Sequence, residues 1–461
     1  MSYILSFLAA LFWGLLLLST LVFIHEAGHY LAARAFGVRV TEFMLGLPCR
    51  WSLSFKSKKV GTRIGVTLVL LGGYNRISGM ESMGADVAAR VLMCVQRHGR
   101  VESAQVAREL GVDEDEVVSA LAGLSEWASV QPYYNPELGE EPGQKTYPAA
   151  FETVARDASL LTEFDRGHDL AAEGSTVAGE PRVPGCSAEE FFAQERSHTY
   201  LGLGLLKRLA VLLAGPAMNI AFAFIVVTGA FMVSGVSTAS NEPVVGAVGE
   251  GTVAASCGLQ AGDRVVEVGG AEVGTWSDFT SAMRPYLDAG QDFSLTIERD
   301  GRRQALEVDL PDGQATDKLG VISQTVLYHP NPLEAARLTV AYAQMVCNYA
   351  FRLLIPQQTM QILDQSTSVV GISVMASQAA SAGVSDFVLL AASISMSLGF
   401  MNLLPIPPLD GGKIVIELIQ AAFRRELSIK AQSYITYVGL AFFLFVFVVV
   451  LKNDIVRFVI G

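Results

Sequence analysis

Four runs of apolar residues stand out along this chain, each close to the ~20 that a helix needs to cross the hydrocarbon of a bilayer. Met1 to Ile24 carries no charge. A second run extends from about Leu209 to Val233, a third lies between Asp386 and Asp410, and a fourth between Lys430 and Lys452. Each predicts a membrane-spanning helix. Gln365 to Ser385 is also charge-free but rich in Ser and Gln, and is not counted as a span. The first run lacks the basic start and small-residue cleavage site of a signal peptide and reads as a retained anchor. Beyond it the period changes. Trp51 to Phe55 alternates, Lys56 to Lys59 is a polar turn, Gly65 to Leu70 resumes an extended pattern, and Gly72-Gly73-Tyr74 breaks it. This predicts a β-hairpin close to the membrane, which either offers an open strand edge to an extended peptide or covers the site. Residues 82–199 read as a soluble insert that opens with three short helices, Val87 to Arg97, Glu102 to Leu110 and Glu114 to Trp127. The Pro-, Gly- and Glu-containing stretch 131–199 is expected to be partly loose.

Composition supports the membrane reading: 51% of the 461 residues are apolar and only 17% charged, below the ~25% of soluble domains. Basic residues set the predicted sidedness. Arg34, Arg39, Arg50, Lys56, Lys58, Lys59, Arg63 and Arg76 follow the first run, and Lys207 and Arg208 precede the second. Lys413, Arg424, Arg425 and Lys430 follow the third, whereas the N-terminus has none and the C-terminus only Lys452 and Arg457. The first and third connections are therefore expected in the cytoplasm, with the second connection and both termini outside. The insert holds 21 Asp+Glu against 9 Lys+Arg, while the rest of the chain is balanced at 24 each, so the insert carries the whole net charge of −12. Its three helices have helix-turn-helix or winged-helix spacing. However, the third opens with Asp113-Glu114-Asp115-Glu116, which would repel phosphate, so a protein-docking or regulatory module is expected and nucleic acid is not. Cys49, Cys94, Cys186, Cys257 and Cys347 show no close pairing and suggest neither a disulfide scaffold nor a cysteine-based metal site.

The candidate chemistry lies at the end of the first run, where His25-Glu26-Ala27-Gly28-His29 places two imidazoles four residues apart on one helix face. Such a pair can hold a Zn2+ ion while Glu26 faces a bound water. Ionisable groups at membrane depth are costly and mark function. A catalytic zinc usually has three protein ligands. Asp410, in the segment Asn402 to Gly412 at the cytoplasmic end of the third run, can supply the third at matching depth. Asn402 precedes Asp410 by roughly two helical turns and can bond substrate backbone or serve helix packing. Asn219, after Gly215-Pro216, either faces the site or belongs to a small-residue packing seam. His98, His168, His198 and His329 are scattered and read as surface residues.

Residues 243–310 resemble a PDZ domain, with strands at Val244-Val245, Arg264 to Val268, Phe293 to Ile297 and Ala305 to Leu310, a helix over Trp276 to Leu287, and the turn Gly258-Leu259-Gln260-Ala261-Gly262-Asp263. The whole chain resembles the site-2 protease family, and within it the bacterial regulator-of-sigma-E proteases. The resemblance rests on His25 to His29, Gly72-Gly73-Tyr74, Ala214-Gly215-Pro216 with Asn219, the PDZ-like unit, and Asn402 to Gly412. It implies zinc ligands at His25, His29 and Asp410, a base at Glu26 and a substrate contact at Asn402; Asn219, Gly72 and Gly73 join Asn402 as candidate substrate-binding residues. It further implies single-span membrane substrates such as anti-sigma factors already trimmed outside, and a bacterial inner-membrane location. The single PDZ-like unit and the acidic insert depart from the family pattern.

The expected fold is a polytopic α-helical membrane protein with four transmembrane helices, a membrane-associated β-hairpin, a cytoplasmic helical insert and one extracytoplasmic PDZ-like domain. Its parts are the first transmembrane helix with the hairpin (1–81), the insert (82–199), a second transmembrane helix (200–236) and the PDZ-like domain (243–312). An amphipathic helical segment at the outer surface (331–386), a third transmembrane helix (387–412) and a fourth (432–452) follow. The expected activity is an intramembrane zinc endopeptidase. A catalytically inactive adaptor that keeps the fold is the alternative, but its sign, a missing ligand or base, is absent from the sequence. A transporter would need more spans and an internal repeat.

Overall fold

The computed structural model describes residues 2–49, 51–80, 83–144, 146–310, 318–424, 427 and 429–456. Arg50, Arg425 and Arg457, and the predicted domain edges at 1, 81, 82 and 312, lie outside the described residues. The chain divides into two compact units, Met1–Val227 with Thr339–Gly461, and Thr228–Leu338.

In the first unit, α1 (Ser2–Ala35) continues without a break from the apolar run through the paired histidines. β1 (Val40–Leu45), β2 (Ser52–Lys56), β3 (Arg63–Thr67) and β4 (Gly73–Ile77) form one sheet in the order β2-β3-β1-β4. β2 and β3 are antiparallel, with Leu53 opposite Val66; β1 runs parallel to β3 and antiparallel to β4. The predicted hairpin is thus half of a four-stranded sheet, and Gly73 opens a strand where a break was expected. β1 and β4 lie against α1, where Phe43 stacks between Phe23 and Tyr30 at ring separations of 4.5 and 4.9 Å. Strands covered by a helix lack the clean alternation by which a half-solvated strand is recognised.

The insert runs α2 (Ala85–His98), β5 (Arg100–Glu102), α3 (Ser103–Leu110), α4 (Glu114–Glu126), β6 (Val130–Tyr133), β7 (Ala150–Thr153) and α5 (Ala188–Ser197), with its sheet ordered β5-β7-β6. Leu92, Leu121, Leu124, Phe151 and Phe191 are fully buried in its core. Asp113 caps α4 by accepting a hydrogen bond from the Asp115 amide, and the acidic first turn suits a helix N-terminus. Residues 131–144 and 146–199 are ordered, contrary to the expected looseness. Composition marked them as polar, but their acids turn inward: Asp165 and Glu195 are buried against Arg39 and Arg156. A long helix, α6 (Leu205–Ser234), follows the insert.

The second unit holds β8 (Val236–Ala239), β9 (Val245–Val248), α7 (Val253–Ser256), β10 (Arg264–Val268), β11 (Ala271–Glu272), α8 (Trp276–Ala289), β12 (Phe293–Arg299), β13 (Arg302–Val308), β14 (Val321–Ser323) and β15 (Thr325–Tyr328). Four strands form an antiparallel sheet in the order β11-β10-β12-β13, while β9 pairs with β14 and β8 with β15. The buried Asp263 carboxylate of the glycine turn accepts a two-pronged bond from Arg299 at 2.6 and 2.7 Å, clasping the turn to β12.

The remaining helices are α9 (Pro332–Arg352), α10 (Pro356–Gln365), α11 (Val369–Ala382), α12 (Val384–Asn402), α13 (Asp410–Phe423) and α14 (Ile429–Ile455). Among the described residues, α1, α6, α12 and α14 each contain a stretch long and apolar enough to cross a membrane, and α9 and α10 meet at a 119° bend. Two expectations are corrected here. The segment 331–386 does not lie wholly at a surface: α11 packs along α1, with Gly14 pressed against Ser373 and Ala376 buried beside Leu17 and Leu21. Its Ser and Ala content, which argued against a span, provides the small side chains for that close approach. The third span ends at Asn402 rather than continuing to Asp410, because Pro405, Pro407 and Pro408 cannot continue a helix. The intervening loop, with a cis Pro407–Pro408 bond, folds over the start of α13, where any side chain on Gly411 or Gly412 would strike its backbone. Asn402 and Asp410 therefore do not share one helix, and helical spacing between them does not apply.

Candidate metal centre

Three elements of the first unit converge on one point. His25 and His29 lie one turn apart on α1, and Asp410 is the first residue of α13. The Nε2 atoms of His25 and His29 are 3.1 Å apart, and each approaches the same Asp410 oxygen, Oδ2, at 3.0 and 3.2 Å. All three residues are buried, at 7%, 7% and 8% exposure.

Their neighbours explain how they are aimed. His29 Nδ1 donates to the Val211 carbonyl of α6 at 2.7 Å, leaving the Nε2 lone pair to face the cluster. Gly28 meets the Ala214 carbonyl, and a Cβ at Gly215 would stand 2.8 Å from His25 Nε2 and still closer to His29. α6 can therefore lie against the histidine face only because Ala214-Gly215 offers almost no side chain. Sequence reading missed Val211 and treated Gly215 as packing alone. The glycine was the available signal; the Val211 carbonyl left none.

Three donor atoms, two nitrogens and one carboxylate oxygen, lie 3.0–3.2 Å apart, a few tenths of an ångström inside the separations of about 3.3–3.6 Å between tetrahedral ligands on one zinc ion, so a small outward shift of the side chains would seat the ion. The donor set fits zinc. His25 Nδ1 is buried without a hydrogen-bond partner among the described residues. Glu26 is half-buried on α1, and its carboxylate interacts electrostatically with His25, His29, Asp410 and Lys413; its backbone carbonyl accepts from Asn75 Nδ2 on β4 at 3.0 Å.

The other candidates fall around this cluster. Asn219, one turn beyond Gly215 on α6, is completely buried, and neither end of its carboxamide has a partner among the described residues. Its backbone carbonyl accepts from Ser395 of α12, and Gly399 packs against the Pro216 carbonyl, so α6 and α12 are in close contact here. Asn402 is the half-buried last residue of α12. Gly72 has φ +109°, a conformation that favours glycine, and its amide donates to Ser19 of α1 at 3.1 Å. Gly73 lies beside the Phe23 backbone. Both belong to the β4 side of the sheet, next to α1 and two to six residues before His25 in that helix. His198 stands 3.1 Å from Asp165 within the insert, away from the role of an isolated surface residue.

The sequence profile of Peptidase family M50 matches residues 13–446. The chain is 26% identical over 455 residues to the regulator of sigma-W protease RasP of Bacillus subtilis, covering 96% of this chain and 97% of that protein. It is also 26% identical to the zinc metalloprotease RasP of Bacillus licheniformis, covering 96% and 98% of the two chains. The RasP of Oceanobacillus iheyensis is 24% identical with the same coverage, 96% and 98%. With the family profile matching residues 13–446 of its 461, the chain belongs to Peptidase family M50, the site-2 proteases.

Proposed function

We propose that this protein is an intramembrane zinc endopeptidase that cuts single-span membrane proteins, with zinc held by His25, His29 and Asp410 and with Glu26 as the general base. The observation that carries the reading is the meeting of three donor atoms within 3.2 Å from helices almost 400 residues apart in sequence. Bound there, zinc supplies a Lewis acid for the scissile carbonyl and acidifies a water to a pKa of about 7. Glu26 accepts the proton of the attacking water and returns it to the leaving amine. His29 is held in one tautomer by the Val211 carbonyl, so that its Nε2 lone pair faces the cluster.

A peptide bond in a helix is shielded by its own hydrogen bonds, so the substrate must unwind and be held extended. β4 is an edge strand of its sheet and lies against the helix that carries the histidines. It suits pairing with an extended substrate segment, with Gly72 and Gly73 allowing the strand to approach α1. The unpartnered carboxamide of Asn219, and Asn402 at the mouth of the proline loop, are the candidate donors and acceptors for substrate backbone. The basic residues flanking the apolar helices support a zinc centre at the cytoplasmic side of a bacterial inner membrane, and support a PDZ-like domain and both termini on the outer side. The name of one relative, regulator of sigma-W protease, supports a role in sigma-factor regulation, with anti-sigma factors as the proposed substrate class. The acidic insert serves as a cytoplasmic docking or regulatory module.

Replacing Glu26 with Gln should lower cleavage of a reconstituted single-span substrate by about 10²–10⁴-fold while the purified protein keeps its zinc. Asp410→Ala should lose the zinc as well. Cleavage undiminished in the Gln variant would reject the base, and full metal content in the Ala variant would reject the ligand set.

A further inference from the structure

The insert contains a second convergence of metal-ligating groups, which shares no residue with the first. Cys94 and His98 lie four residues apart near the C-terminal end of α2, and Glu109 lies near the end of α3. Sγ of Cys94, a ring nitrogen of His98 and a carboxylate oxygen of Glu109 are all within 4.8 Å of one another. His98 Nε2 is 3.0 Å from Glu109 Oε2. The Cys94 thiol lies within 4.8 Å of the same carboxylate; burial, reinforced by Glu109, pushes it up to about 12. An ordinary surface ion pair would account for His98 and Glu109, but not for a core cysteine turned to the same carboxylate. Cys94 is buried in the hydrophobic core between α2 and its neighbours, whereas His98 and Glu109 are exposed. The cluster therefore has an apolar floor and an open mouth.

We propose that Cys94, His98 and Glu109 form a divalent-metal site of zinc type that ties α2 to α3. A thiolate, an imidazole and a carboxylate make a mixed donor set suited to a borderline-soft cation, with water as fourth ligand. In the metal-free form the His98 ring N–H bonds the Glu109 carboxylate with the Cys94 thiol close by, and one cation takes the place of that hydrogen bond. On binding, the Cys94 proton leaves for solvent and the His98 proton moves from Nε2 to Nδ1, so one proton is released per metal ion. The negative end of the α2 dipole, at the helix C-terminus beside His98, favours a cation. So does the net charge of −12 carried by the insert. The sequence spacing concealed the site because its third ligand comes from the next helix.

The full-length protein in detergent, stripped of metal and titrated with Co2+, separates the two centres. The His25–His29–Asp410 cluster has no sulfur, so a near-ultraviolet sulfur-to-cobalt charge-transfer band reports the insert site alone. The band should develop in the wild type and in Asp410→Ala, with two equivalents bound by the former and one by the latter. It should vanish in Cys94→Ser. His98→Gln and Glu109→Gln, whose side chains are exposed and do not threaten the core, should raise the Co2+ concentration at half-saturation by at least about 10–100-fold. Retention of one equivalent in all three variants shows that they are folded. Absence of the band in the wild type at saturating Co2+, its survival in Cys94→Ser, or an unchanged titration in Glu109→Gln would each overturn the proposal.

Discussion

Arg39→Met tests how the insert is fastened to the helix that carries the histidines. Arg39 follows α1 by four residues and is 1% exposed. Its guanidinium donates to both oxygens of Asp165, at 2.8 and 2.7 Å, and to Glu195 at 2.7 Å. Arg156 completes the group with bonds to Glu195 at 2.9 and 3.0 Å, so two cations balance two buried anions. Methionine fills much of the same volume but leaves one negative charge without its counter-ion. Removing one partner of a buried pair costs about 3–5 kcal/mol. Asp165 would still receive bonds from Thr162 and contact His198 at 3.1 Å, and Glu195 would keep Arg156 and Ser129, which places the cost in the lower half of that range. At about 1.4 kcal/mol per tenfold, amide protection around residues 160–165 should fall by roughly a hundredfold or more.

Hydrogen exchange read by mass spectrometry on the full-length protein measures this loss. pH provides a second arm. Burial alone would raise both carboxyls, but hydrogen bonds from His198 and Arg39 at Asp165, and the charges of Arg156 and Arg39 at Glu195, outweigh it and hold both well below the usual carboxylate range. Carboxyls depressed in the folded state contribute stability that is fully present above their unfolded values, about 4, and is lost as pH falls below them. Wild-type protection should therefore be level from about pH 7 to 5 and fall below about pH 4, with a shallower fall in Arg39→Met. Arg39→Met with Asp165→Asn should recover part of the protection, since the stranded charge is gone. Protection within tenfold of wild type in Arg39→Met, or no recovery in the double variant, would refute the account.

Gly215→Ala should reduce zinc content and cleavage together, because the added methyl would occupy space now held by the His29 imidazole and lie 2.8 Å from His25 Nε2; metal analysis of the purified variant decides it. Asn219→Leu should fold with unchanged or greater stability, since it removes a buried carboxamide without partners that costs about 1–3 kcal/mol, yet cleave its substrate more slowly with zinc retained. Thermal unfolding and cleavage assays on the same preparation separate the two effects, and a destabilised variant with normal cleavage would remove Asn219 from the site.

Local pattern was enough to reveal the apolar helices, the three opening helices of the insert, and the histidine pair with its carboxylate, because each is written within one element. A span is a contiguous run of apolar residues, and a zinc pair at i and i+4 needs only one turn of helix. Asp410 was legible too, through its position at the end of an apolar run. What local pattern did not contain was anything settled by a neighbour from far along the chain. β1 and β4 are short and covered by α1, so no alternation announced them. Residues 131–199 looked loose by composition, yet their acids fold inward because Arg39, outside the insert, and Arg156 neutralise them. α11 looked too polar to be buried, although its small side chains are what let it touch α1. The role of Gly215, the carbonyl of Val211 and the meeting of Cys94 with Glu109 depend on which backbone lies against which side chain. The chain's chemistry is thus written in single helices, whereas the distances that make it usable exist only once those helices pack. Hydrophobic runs determine where a helix can lie, and only close contact between helices determines which polar groups share one small volume.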